Sequence, residues 1–328
     1  MSAEGSRGVV VAALAGNLAI AACKFVAAIL SGSTATLAEA VHSVADTGNQ
    51  ALLLLGIWLA SKPSSPRYPF GRAAERYFWP FVVSLVLFSL GGAFAVYEGV
   101  RHLLYGVEPV RGVDRTILDV HLHFSGNVVN YVVLGTSFFF EAMSFRVAFR
   151  ELRATSKGKG LARAFFDARD PTVPLVVAED TTALLGLSLA LGAVLLRSVT
   201  GMEIWDPLGS LLIGVLLSSV AILLAWVTHG LLIGKSATDE DRARVVAITE
   251  GVDGVERVTQ ILGVHLGPEA VVLAMKLAFA PGTTVERVEE LTNEIERRVR
   301  AELPQMQRIF IEVDSQGDGR GLPAHDAS

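Results

Sequence analysis

Three side chains in this chain have the type and placement to hold a divalent cation: His42 and Asp46, and much later Asp180, which follows Glu179 in an acidic pair. His42 and Asp46 are four apart, so on a helix they share one face, a turn from each other. An imidazole nitrogen beside a carboxylate oxygen suits zinc and similar metals. Each pair lies inside a long apolar run. There an ionisable group costs about 2.5–3.5 kcal/mol on insertion scales and is a functional candidate by default. On a soluble helix the same His-x-x-x-Asp would read as a solvated surface pair. Inside a span, with a second acidic group within one to two turns of the same depth, it reads as a ligand pair.

The elements that must position these groups are apolar ones. Hydrophobic residues make up 51% of the 328, charged residues 19%, and mean hydropathy is +0.47. Soluble globular proteins carry about 25% charged residues, which argues against an ordinary soluble enzyme; disordered, collagenous and disulfide-stapled chains are excluded. A net charge of -5 and a pI near 5.8 leave no footprint for nucleic acid. No His-Glu-x-x-His occurs, which argues against an intramembrane metallohydrolase. The single cysteine, Cys23, cannot pair within the chain and is expected to pack.

A bilayer core needs about 20 apolar residues of helix. Runs at 8–30, 34–60, 78–104, 128–149, 172–196 and 207–234 meet that length. The first lacks the short apolar core and cleavage site of a signal peptide and is expected to be a mature helix. Six crossings put both termini on one side. The loop 61–77 carries Lys62, Arg67, Arg72 and Arg76, and the stretch 146–169 is more basic still. The positive-inside rule therefore places both loops and both termini in the cytoplasm.

After Lys235 charge rises and no span follows. Helices are expected at 238–250 and 285–302, and strands at 255–264, 270–279 and 308–313, with a turn at Gly267–Pro268. That order fits a small α+β, ferredoxin-like half-sandwich. The expected organisation is a six-helix transmembrane domain over 1–235, a cytoplasmic α+β dimerisation domain over 236–314, and a disordered tail over 315–328.

The stretch SGSTATLAEAVHSVADTGNQ (31–50) resembles the second transmembrane segment of the cation diffusion facilitators. YPFG at 68–71, ERYFW at 75–79, YEGVRHLL at 97–104 and AEDTTALLG at 178–186 continue the resemblance in order. The ERYFW and AEDTTALLG forms are most similar to the zinc transporter 9-like branch. The resemblance implies a metal site built from His42 and Asp46 of the second span and Asp180 of the fifth. The family's remaining ligand falls at Val176, which cannot ligate. Glu179 is then expected to enter the site. It either shares a metal with Asp180 or ligates while Asp180 carries a proton; water completing a three-ligand site is the rival. The loop position of a further family site reads Tyr68 to Arg72 without histidine, so no metal is expected there. In the C-terminal domain Glu289, Glu312 and Asp314 match family ligand positions weakly and are expected to be solvated carboxylates.

The resemblance further implies a zinc/proton antiporter of the bacterial inner membrane, acting by alternating access as a homodimer. Its partners are divalent metal ions, protons and the bilayer, with no resident cofactor, since the metal is cargo. Manganese, iron or cobalt export, or a non-transporting metal-responsive scaffold, are the competing expectations. Asn17 and Glu141 are expected as polar contacts between helices, Lys24 as a snorkelling or acid-paired residue, and Asn49 as a packing amide, with an outer-shell partner of Asp46 as the alternative.

Overall fold

The computed structural model describes residues 3–31, 34–106, 113–117, 120–124, 126–156, 160–166 and 168–314. The chain divides into two compact units, Met1–His229 and Gly230–Ser328.

The first unit is helical. Its long elements are α1 (Ala3–Ser31), α2 (Thr34–Ala60), α3 (Glu75–Val86), α4 (Phe94–Tyr105), α5 (Gly126–Thr155), α7 (Thr172–Thr200) and α8 (Trp205–Leu232, which runs past the unit's end). A short α6 (Leu161–Phe166) precedes α7, and β1 (Val113–Ile117) pairs antiparallel with β2 (Val120–Phe124). The α3 and α4 helices are halves of one rod, joined by a π-helical stretch at Leu87–Ala93. Apolar runs make helices here because lipid offers backbone groups no hydrogen-bond partner, so each segment must satisfy its own. Among the described residues, Gly5–Val26, Glu75–Tyr105, Thr172–Thr200 and Trp205–Leu232 are long and apolar enough to cross a membrane.

Packing follows residue size. The α1 helix lies against α2 and α5, α5 against α7, and α2 against α3. A buried apolar cluster joins Val10, Leu53, Val83, Leu152, Val176 and Leu224 from six helices. The third rod and α8 touch through glycine: a Cβ at Gly92 would stand 2.3 Å from the Ser218 hydroxyl, and one at Gly214 would stand 2.5 Å from the Val96 nitrogen. The backbones could not approach so closely with any side chain between them.

One buried polar knot ties helix starts together. Asp170, just before α7, is 2% exposed. One of its oxygens accepts from Ser6 Oγ on α1 and pairs with Arg76 on α3; the other accepts from the Thr172 N–H and hydroxyl. The beginnings of α1, α3 and α7 therefore lie at the same end of the unit. The far end of α7 closes on Gly201, whose φ of +69° lets its N–H reach the Arg197 carbonyl.

The second unit holds α9 (Asp239–Glu250), β3 (Val255–Gly267), β4 (Ala270–Phe279), α10 (Val285–Glu302) and β5 (Met306–Val313). Both helices start on a threonine cap: Thr238 Oγ1 accepts from the Asp241 N–H and Thr284 Oγ1 from the Arg287 N–H. The sheet order is β3-β4-β5, with β3 and β4 antiparallel and β5 parallel to β4 across the α10 crossover. Val271, Leu273, Met275 and Leu277 alternate on one face of β4. They share a core with Leu291, Ile295 and Val299, which repeat every four residues along α10. Residues 315–328, expected as a tail, lie outside the described residues.

Candidate metal centre

The first unit has a partly open cavity of about 280 Å³ among its helices. Asp46, Asn49 and Gln50 of α2 line it, as do Glu179 and Thr182 of α7, Glu141 and Ser137 of α5, and Asn17 and Lys24 of α1. Leu87 and Gly91 reach it from the π-helical stretch. A π turn widens the helix locally, and such turns gather at functional sites.

Of the four expected site residues, Asp46 and Glu179 share this wall. Asp180 does not line it: its Oδ2 accepts from Ser144 Oγ on α5 at 2.8 Å, and the residue is 3% exposed. Adjacent helical residues point about 100° apart, and in this pair it is Asp180 that turns from the cavity towards α5. The His42 side chain lies outside the described residues; its backbone stands on α2 one turn before Asp46. Among the described residues no group of three His, Cys, Asp or Glu side chains is close enough to hold a metal.

Glu179 is held by one oxygen only. Gln50 Nε2, on a side chain 2% exposed, donates to its Oε2 at 2.9 Å. Its Oε1 is buried with no hydrogen-bond partner, and the same holds for Gln50 Oε1 and Asn49 Oδ1. Buried acceptors without donors are uncommon and ask for an explanation. Here three of them belong to residues on one cavity wall, where a cation would supply what they lack.

Glu141 and Asn17 read in sequence as contacts between helices, Lys24 as a snorkelling or acid-paired residue, and Asn49 as a packing amide or an outer-shell partner of Asp46; all four line this wall. Glu141 of α5 faces the same cavity as Asp46 of α2 and Lys24 of α1. The signal available was the rarity of a glutamate and a lysine at depth in apolar runs. Val176 is fully buried in the apolar cluster, so the missing ligand position is occupied by packing.

Elsewhere, the Arg72 guanidinium stacks 4.8 Å from the Tyr68 ring centre and pairs with Glu75, so the loop position of the further family site is taken by a cation and an aromatic face. In the second unit Glu312 pairs with Lys276 at 3.2 Å.

Comparison with known proteins agrees with this architecture. The model of the cation efflux transmembrane domain matches residues 10–233, and that of the cation efflux cytoplasmic domain matches residues 237–316. The human proton-coupled zinc antiporter SLC30A9, mitochondrial, is 31% identical over 246 residues, covering 74% of this chain and 41% of that protein. Metal tolerance protein C4 of Arabidopsis thaliana is 29% identical over 319 residues, 97% of this chain and 65% of that one. This chain thus spans less than half the length of the human relative. A solved MamM CTD covers 24% of the chain at 19% identity, with a TM-score of 0.23. The chain belongs to the cation diffusion facilitator family of membrane transporters, in its zinc transporter 9-like branch.

Proposed function

We propose that the chain exports a divalent cation, zinc first, in exchange for protons, by alternating access between two states of a homodimer. The observation that carries this reading is the shared wall of Asp46 and Glu179, with a buried Glu179 oxygen that lacks a donor. Asp46 and Glu179 act as ligands, His42 joins them from one turn along α2, and Asp180 serves as a proton carrier behind Glu179. Its bond to Ser144 and its place off the cavity wall support that division. Metal ligands must be deprotonated, which couples binding to proton release, and an imidazole titrates in the useful range.

Six crossings with cytoplasmic termini, in a bacterial inner membrane, complete the reading. The knot at Asp170 supports alternating directions, since the starts of α1, α3 and α7 meet at one end. The second unit, a ferredoxin-like half-sandwich, serves dimerisation.

Zinc flux into proteoliposomes tests the proposal. Asp46→Ala and Glu179→Ala should each cut flux by at least about tenfold, the low end for losing even an outer-shell partner. A proton gradient directed against the metal should accelerate the wild type. Full flux in both variants would overturn the ligand assignment.

One observation favours a second cargo. Asp46, Glu179, Asn49 and Gln50 offer oxygen atoms, which suit manganese better than a nitrogen-rich set would. Flux measured across zinc, manganese, iron and cobalt separates the two, and metal binding without flux of any would indicate a scaffold.

A further inference from the structure

We propose that the cavity carries its own counter-charge, with Glu141 as a third carboxylate acting on the cation and Lys24 as the ammonium that holds the carboxylates until a cation replaces it. This deepens the transport reading and rests on it.

Among the described residues three carboxylates line the cavity, Asp46, Glu141 and Glu179, one each from α2, α5 and α7. The described wall also carries Lys24 of α1, which is only 7% exposed. A buried ammonium is costly unless opposite charge surrounds it, and like carboxylates sharing a small space repel. Each therefore explains the other. Once all four described groups are ionised, as metal binding requires of its ligands, their three negative charges against one positive leave -2 among them. One divalent cation cancels that charge and a monovalent one does not.

The volume says how Glu141 acts. About 280 Å³ is far larger than a bare metal ion and has room for several waters. The described carboxylates do not converge tightly enough to hold a bare ion. A cation that keeps part of its water shell fills both needs. It meets the partnerless amide oxygens of Asn49 and Gln50 and the free oxygen of Glu179, while Glu141 attracts it across water. Lys24 is then the charge it displaces, and the return of Lys24 to the carboxylates helps release it.

The experiment is zinc half-saturation of flux in proteoliposomes for Glu141→Gln, Lys24→Met and the double variant, with Glu141→Asp as the charge-preserving control. Glu141→Gln should raise half-saturation about tenfold. Lys24→Met should lower it severalfold and slow turnover, because the competing ammonium is gone. The double variant should return near wild type, and Glu141→Asp should stay within about threefold of it. Opposite shifts are the signature, since damaged packing would move both variants the same way. If both raise half-saturation, or Glu141→Gln leaves it unchanged, the proposal fails. Should Glu141→Gln not assemble, Lys24→Met and Glu141→Asp still decide, because a Lys24→Met variant that binds no tighter overturns it. Asp46→Ala run alongside keeps the two readings apart: if it abolishes flux while Glu141→Gln changes nothing, only the counter-charge falls.

Discussion

Val176 shows how much rests on single side chains in this body. It stands one turn before Asp180, where the family resemblance calls for a ligand, yet it is fully buried against apolar neighbours. A carboxylate there would lose its water without gaining a partner. Val176→Asp should therefore destabilise the protein by at least about 2 kcal/mol and leave zinc affinity no better. A thermal melt in detergent checks the first and calorimetric titration the second; an unchanged melt with tighter zinc would show that the side chain reaches the cavity. The His42–Asp46 spacing and the Glu179–Asp180 pair were legible in the sequence, because one helical turn is a local rule. Which of Glu179 and Asp180 faces the cavity was not. That choice depends on the rotation of α7 against α5, where Ser144 holds Asp180. That Glu141 and Lys24 share the cavity was not legible for the same reason, since their convergence depends on how α1 and α5 are turned.

At the scale of elements, the helix starts are tied by charge. Asp170 joins α1, α3 and α7 through Ser6, Arg76 and Thr172, and Arg76 is 6% exposed. Asp170→Ala would strand that guanidinium in a buried place, a loss of about 3–5 kcal/mol. Unfolding in detergent should show it, and a loss under about 1 kcal/mol would mean that water already reaches Arg76. Element limits in the second unit were readable to within a few residues because turns are short-range chemistry: the turn expected at Gly267–Pro268 falls at Pro268–Glu269, with Gly267 closing β3. The π-helical stretch at Leu87–Ala93 was not readable. The stretch holds Ser89, Gly91 and Gly92, which weaken a helix, but such residues do not by themselves specify a π turn rather than a kink or a straight helix.

Over the whole molecule, the opening composition averages two regimes with different sources of stability. The first unit relies on helices that satisfy their own backbone and on close glycine contacts. The second relies on burying Leu273, Leu277, Ile295 and their neighbours away from water. Urea weakens the latter force directly. All four tryptophans, Trp58, Trp79, Trp205 and Trp226, and all five tyrosines belong to the first unit. Denaturation of the intact protein in detergent should accordingly begin with a step seen by far-ultraviolet circular dichroism and invisible to tryptophan emission. Coincident transitions by the two probes would contradict separate stabilities. A fluorescence assay of this protein therefore watches only its membrane body. A chain whose C-terminal sheet has already come apart would pass such an assay as native, and no single melting temperature describes the molecule.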